Sequence, residues 1–215
     1  MKAVIFDVDG TLLNTERIYI AAWKEAGRLL GYEIPQEALL RTRACSHKDA
    51  ALILQSYCGE SFPYEAVRAH RYSIAEQRIA ASANLLMPGV APLLTALQQR
   101  GIPMAVASST ALKDTLAHLE HAGILSYFSA IVGGDMVARG KPNPDIFLKA
   151  AEALQVAPAD CVAVEDTPIG VRAAAAAQMR AILVPDCVQP DAAARSLAHA
   201  VLQTIDELAL LLDTL

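Results

Sequence analysis

The segment Lys2-Ala3-Val4-Ile5-Phe6-Asp7-Val8-Asp9-Gly10-Thr11-Leu12-Leu13 places two acids at the end of an uninterrupted apolar run. Ala3–Phe6 reads as a short strand buried on both faces, the pattern of a central strand in a parallel sheet. In such sheets ligands bind beyond the carboxyl ends of the strands, so Asp7 and Asp9 fall where chemistry is expected. On an extended backbone residues two apart share a face, so the two carboxylates are expected to converge while Val8 points away. Like charges that close require a divalent cation between them, or a proton kept on one carboxyl, which is then equipped to act as an acid. Gly10 lets the chain turn sharply. A plain Asp/Gly turn after a strand would read the same way, and only the rest of the chain separates the two.

The 215 residues suffice for one large domain or a domain carrying an inserted module. An apolar fraction of 54%, rich in Ala, suits close packing of helices on a sheet and excludes a disordered chain. No apolar run reaches the roughly 18 to 20 residues of a membrane span. The amino terminus meets Asp7 too soon to read as a secretory signal, so a cytoplasmic enzyme is expected. A net charge of −5 without basic clusters excludes a nucleic-acid surface as the main function, and a small anionic substrate would need local positive charge. Cys45, Cys58, Cys161 and Cys187 form no CxxC pair and read as free thiols, with Cys161 a small core side chain. The sequence does not state an oligomeric state, and a monomer is compatible with it.

After the acidic turn, Asn14 or Thr15 can cap a helix carrying Ile18, Ala22, Ala26 and Leu29. Ser46-His47-Lys48-Asp49 has capping-box form before another helical stretch, and Pro63 can open a third through Val67, Tyr72 and Ile79. Residues 15–82 thus read as an all-helical block. From Met87-Pro88-Gly89 onward strands and helices alternate, the signature of a parallel α/β sheet. Strands are predicted over residues 102–107, Ala130–Val132, 161–164 and 181–184, with helices between them. Thr204-Ile205-Asp206-Glu207 has capping-box form before a last helix. The helical block is too long for a loop, so residues 1–14 and 83–215 are expected to form one α/β domain and residues 15–82 a second, inserted one.

Four predicted strand ends carry useful chemistry. Ser108, Ser109 and Thr110 offer hydroxyls and free N–H groups suited to phosphate oxygens, or simply to capping a helix. Lys141 lies beside Pro142 and Pro144, whose stiffness can hold its charge opposite the aspartates. Glu165-Asp166 ends an apolar strand; these acids can cap a helix, or Asp166 can join Asp7 and Asp9 in an all-oxygen set suited to Mg²⁺.

This order, DxDGT, then Ser after a strand, then Lys-Pro, then Glu-Asp after a strand, resembles the four motifs of the haloacid dehalogenase superfamily. Helices inserted directly after the first motif resemble the cap of its subfamily IA, the β-phosphoglucomutase-like group. The resemblance covers nearly the whole chain. It implies a doubly wound, Rossmann-like parallel sheet with a helical cap, and phosphatase chemistry. It further implies Asp7 as the nucleophile and Asp9 as general acid/base that also lends a backbone carbonyl to Mg²⁺. Ser108 and Lys141 would bind the transferring phosphoryl group, with Ser109 beside them. Asp166 would ligate the metal, with Glu165 a ligand or a partner of the ligands.

Dehalogenases of this superfamily normally place Tyr where this chain has Asp9, which disfavours carbon–halogen cleavage. The mutase that names the group has His at the position of Tyr19 and Arg at that of His47, so a phosphosugar mutase is the alternative rather than the first reading. His47, in a turn of the cap, is a candidate substrate contact. A receiver-type phosphoacceptor module is the reading from another class, opposed by the helical insert. Gln178 stands where relatives often have Gly, and His118 and His121 are expected on a solvated helix face. The expected partner is a small phosphorylated metabolite, a sugar or polyol phosphate, and neither nucleic acid nor membrane.

Overall fold

The structure, a computed structural model, describes residues 1–43 and 47–213. Strand β1 (Ala3–Phe6) is fully buried, as its unbroken apolar run requires, and it pairs in parallel with β2 (Met104–Ala107) on one side and β4 (Cys161–Glu165) on the other. After β1 the described residues form α1 (Thr15–Leu29), α2 (Gln36–Arg41), α3 (His47–Cys58) and α4 (Tyr64–Ala81) in succession. The remainder alternates: α5 (Val90–Gln99), β2, α6 (Leu112–His121), β3 (Ala130–Val132), α7 (Asp145–Leu154), β4, α8 (Pro168–Ala176), β5 (Arg180–Leu183), α9 (Ala192–Leu197), β6 (Ala200–Val201) and α10 (Leu208–Leu211). All strand pairs are parallel, in the order β3-β2-β1-β4-β5-β6. The chain therefore builds outward from β1 in one direction and then in the other, and the crevice where it reverses lies at the ends of β1 and β4.

Register divides the strand residues between two faces. Ala3 and Ile5 align with Ala105, Cys161, Ala163 and Ala181, and they share one buried cluster with Ile146, Phe147, Ala150 and Ala151 of α7 and Val171, Ala173 and Ala174 of α8. The small side chains let those helices approach closely. On the other face Val4, Phe6, Val106, Val162, Val164 and Ile182 are equally buried, and Phe6 meets Phe128 edge to face at 6.2 Å. Cys161 is a core residue as expected, and burial with the neighbouring Asp160 charge pushes its thiol up to about 11.

Two compact units result, residues 1–13 with 86–215 and residues 14–85. The second is all-helical. Its core gathers Ala26, Ile34, Leu39, Leu54, Phe62 and Val67, and Trp23 stacks on Tyr64 with ring centroids 5.8 Å apart. The guanidinium of Arg71 lies 4.0 Å from the centre of the Tyr19 ring. No helix of the described residues is long and apolar enough to cross a membrane.

Several local expectations need correction. Residues 102 and 103 stay outside β2, because Pro103 has no N–H to give; its carbonyl instead accepts from Val4 N at 3.0 Å. Asn14 occupies the N-cap position of α1, but its Oδ1 accepts from Arg17 at 2.8 Å and caps nothing. The capping box at Thr204 does not form: Glu207 reaches past it to accept from Gln203 N at 3.1 Å, and residues 205–207 make a 3₁₀ turn. His118 is buried beside Thr115 and Leu119, while His121 is exposed, so α6 turns one of its histidines inward. The box predicted at Ser46 lies partly outside the described residues, and nothing is described of the His47 side chain. Helix α9 and the two-residue strand β6 were not predicted; both are too short to leave a periodic signal.

Candidate active site

The sheet delivers its polar residues at one edge because the apolar runs of β1, β2 and β4 stop together. Asp7 N still donates to Val164 O at 2.9 Å, and Ser108 N to Val132 O at 3.0 Å, so both residues remain tied to neighbouring strands just past their own strand ends. Gly10, at φ 94°, then turns the chain back, with Leu12 N and Leu13 N both donating to Val8 O at 2.9 Å.

Lys141 is at the centre of the arrangement. Its ammonium donates to Asp7 Oδ1 at 2.6 Å, to Glu165 Oε1 at 2.6 Å and to Ala107 O at 3.0 Å, which engages all three of its N–H bonds. The Phe147 ring closes this pocket, its centroid 5.1 Å from Nζ. Burial pulls Lys141 down, but Asp7 and Glu165 together hold it above the ordinary lysine range. Glu165 Oε2 accepts from Thr167 Oγ1 at 3.1 Å and from Thr167 N at 3.3 Å. Thr167 in turn caps α8 by accepting from Gly170 N at 3.0 Å, with Pro168 at the first helical position.

Asp7, Glu165 and Asp166 form the group of buried carboxylates able to hold a metal ion, with one oxygen of each within 4.8 Å of the others. Three carboxylates against one ammonium leave negative charge in a site hidden from water. Burial pushes the Asp7 carboxyl up; Lys141 opposes this, but Glu165, Asp166 and Asp9 add to the push, and the result is well above the usual carboxylate range. Hard, all-oxygen donors with excess negative charge fit Mg²⁺.

Asp9 departs from the expected convergence. Its carboxylate lies outside that group and accepts from Thr110 Oγ1 at 2.8 Å, with Ser108 Oγ 3.5 Å away. Strand β1 ends at Phe6, so its alternation does not carry through to Asp9, which bridges to Leu13 instead. Ser108 is buried beside these groups, and Ser109 is exposed. Sequence reasoning offers Thr110 for phosphate oxygens or helix capping and Thr167 as a helix start, but misses the bond of Thr110 to Asp9, the bond of Thr167 to Glu165 and the close approach at Gly170. The one available signal was Gly170 itself, a glycine inside an Ala-rich helix, which marks close approach of another group.

The family model of haloacid dehalogenase-like hydrolases matches residues 1–178. The chain is 32% identical over 188 residues to β-phosphoglucomutase of Bacillus subtilis, covering 85% of this chain and 82% of that protein. It is 30% identical over 184 residues to a phosphorylated carbohydrates phosphatase of Thermotoga maritima, covering 85% and 84%. Among solved structures, a mutant of CbbY from Rhodobacter sphaeroides in complex with xylulose-(1,5)bisphosphate superposes with a TM-score of 0.82 at 30% identity, covering 97% of this chain and 96% of that one. The chain belongs to the haloacid dehalogenase-like hydrolase family, within its β-phosphoglucomutase-like group. It is an enzyme of that family, of the phosphoric monoester hydrolase type.

Proposed function

We propose that the protein is a cytoplasmic, Mg²⁺-dependent phosphatase that hydrolyses a small phosphate monoester, a sugar or polyol phosphate, through an aspartyl-phosphate on Asp7. The observation that carries this reading is Lys141, buried and bridging Asp7 to Glu165 beside Asp166. A carboxylate and a fixed cation side by side suit attack on phosphorus followed by charge neutralisation.

Asp7 attacks phosphorus as the bond to the leaving oxygen breaks, and Asp9 gives that oxygen its proton. Asp9, now a carboxylate, takes a proton from water as the water oxygen attacks phosphorus and the Asp7–phosphorus bond breaks. Lys141 exchanges one of its hydrogen bonds for a phosphoryl oxygen, and the Ser108 hydroxyl holds another, with Ser109 at the mouth of the same loop. Asp7, Asp166 and Glu165, with the Asp9 carbonyl, would hold Mg²⁺, which supplies positive charge for phosphoryl oxygens and the nucleophile. Residues 15–82 serve as the cap that selects the substrate, and His47 is a substrate contact within it. The relative named as a phosphorylated carbohydrates phosphatase and the CbbY mutant structure in complex with xylulose-(1,5)bisphosphate support the sugar phosphate class.

The test is release of inorganic phosphate from a panel of sugar and polyol phosphates, with and without Mg²⁺, by the wild type and Asp7→Asn. Metal-dependent release that falls about 10³-fold or more in the variant is expected. Conversion of a hexose 1-phosphate to the 6-phosphate without phosphate release would replace this reading with the mutase. Inertness toward every substrate would leave a phosphoacceptor module.

A further inference from the structure

The hydrogen bond between Thr110 and Asp9 is unusually well supported for a contact between two loops. Thr110 Oγ1 donates to Asp9 Oδ2 at 2.8 Å. The loop carrying Thr110 is anchored on every side. Thr110 N donates to Ser108 Oγ at 3.0 Å, and its carbonyl accepts from Gly134 N at 2.8 Å and from the buried Thr115 hydroxyl at 3.4 Å. Leu112 N donates to Asp135 Oδ1 at 2.8 Å. Gly133 and Gly134 lie so close against this loop that an added Cβ would stand 2.2 Å from Leu112 N and 2.2 Å from Ser109 O respectively. A hydroxyl on a backbone held this firmly fixes the group it touches.

We infer that Thr110 is a positioning residue that orients Asp9 for proton transfer to the leaving oxygen. This rests on the phosphatase reading above. A threonine hydroxyl can donate to Oδ2 whether Asp9 carries its proton or not, so the same contact holds the carboxyl in both halves of the reaction. The proton then travels on Oδ1: it passes to the leaving oxygen as the phosphorus–oxygen bond breaks, and is regained from water in the second half. The Ser108 hydroxyl accepts from Thr110 N and makes only a long contact, 3.5 Å, to the same Asp9 oxygen, so it can turn to a phosphoryl oxygen while Thr110 keeps hold of Asp9.

Leaving-group dependence provides the test, because an alkoxide must be protonated as it departs whereas 4-nitrophenolate leaves unaided. The wild type, Asp9→Asn, Thr110→Val and Thr110→Ser are compared by kcat/KM on the best alkyl phosphate and on 4-nitrophenyl phosphate, since kcat/KM reports only the steps through leaving-group departure. Thr110→Val is expected to lower the alkyl value about 30-fold and the aryl value about threefold or less, mostly through kcat, with Thr110→Ser within about threefold of wild type. Asp9→Asn is expected to show the same selectivity more strongly. Equal losses on both substrates in Thr110→Val, or no loss on either, overturn the assignment while leaving the phosphatase intact. Equal losses in Asp9→Asn would instead remove Asp9 as the acid, and the role of Thr110 with it. An inert wild type would overturn the phosphatase reading before Thr110 is reached.

Discussion

A Cβ on Gly170 would stand 1.9 Å from the carboxyl carbon of Glu165. The first turn of α8 therefore closes directly over that carboxylate, which is held from its other sides by Lys141 and Thr167. In an exposed helix Gly→Ala stabilises by about 1 kcal/mol. Here the new methyl has nowhere to go, and Glu165 cannot yield without breaking its hydrogen bonds. Gly170→Ala should lower stability by about 2 kcal/mol in urea unfolding and reduce phosphatase activity at least about tenfold. A more stable, fully active variant would show that Glu165 moves freely.

Lys141 is the cation that makes three buried carboxylates tolerable. Replacing it with Met leaves Asp7 and Glu165 without their partner, and the expected cost is about 3 kcal/mol in denaturant unfolding with EDTA present. Mg²⁺ binds only the folded site and should return part of that stability. An unfolding midpoint equal to wild type in EDTA, or one indifferent to Mg²⁺, would contradict this charge balance.

Helices α7 and α8 both end with glutamine in the left-handed conformation, Gln155 at φ 58° and Gln178 at φ 62°. The hydrogen bonds are those of a Schellman motif: Val156 N to Ala151 O and Gln155 N to Glu152 O in one, Met179 N to Ala174 O and Gln178 N to Ala175 O in the other. The left-handed backbone costs a non-glycine residue about 1 kcal/mol or more, partly offset by the greater freedom of glycine when unfolded. Gln155→Gly and Gln178→Gly should each stabilise by about 0.5 kcal/mol, and the pair additively, as a rise in thermal midpoint. A fall in either variant would mean that the glutamine side chain contributes more than the strain costs.

Cys161 shows what burial does to a thiol. Its folded value of about 11 lies above the ordinary 9.0, so the folded state keeps a proton that the unfolded chain loses between those values. The stability this contributes is complete below pH 9 and disappears as pH rises toward 11. At pH 8 a thiolate-directed reagent should modify the half-buried Cys58 and Cys187 of the native protein and spare Cys161 until denaturant is added. Peptide mass spectrometry reads the result, and rapid native labelling at Cys161 would contradict it.

Periodicity and abrupt polarity made the sheet legible: the apolar runs before Asp7, Ser108 and Glu165 are the strands observed, and their ends meet at one edge. Where a segment is too short for a pattern, as in β6, or where several donors compete for one acceptor, as at Glu207 and Asn14, local signals failed. His118 was misread because α6 has two histidines three residues apart, and which one faces inward depends on the packing of the helix rather than on its residues alone.

The order of acids, hydroxyls and lysine along the chain determined which residues are available for chemistry, because each follows a run of apolar residues long enough to be a buried strand. Their mutual geometry was decided by tertiary structure. Lys141 reaches Asp7 across 134 residues and Glu165 across 24, and Asp9 turns away to Thr110 101 residues later. Such contacts depend on strand register and on the space left by Gly134 and Gly170, where backbone or carboxylate occupies the volume a side chain would fill. A one-dimensional pattern can rank a residue as reactive, but the charge it finally faces is set by the groups that folding brings within hydrogen-bond distance.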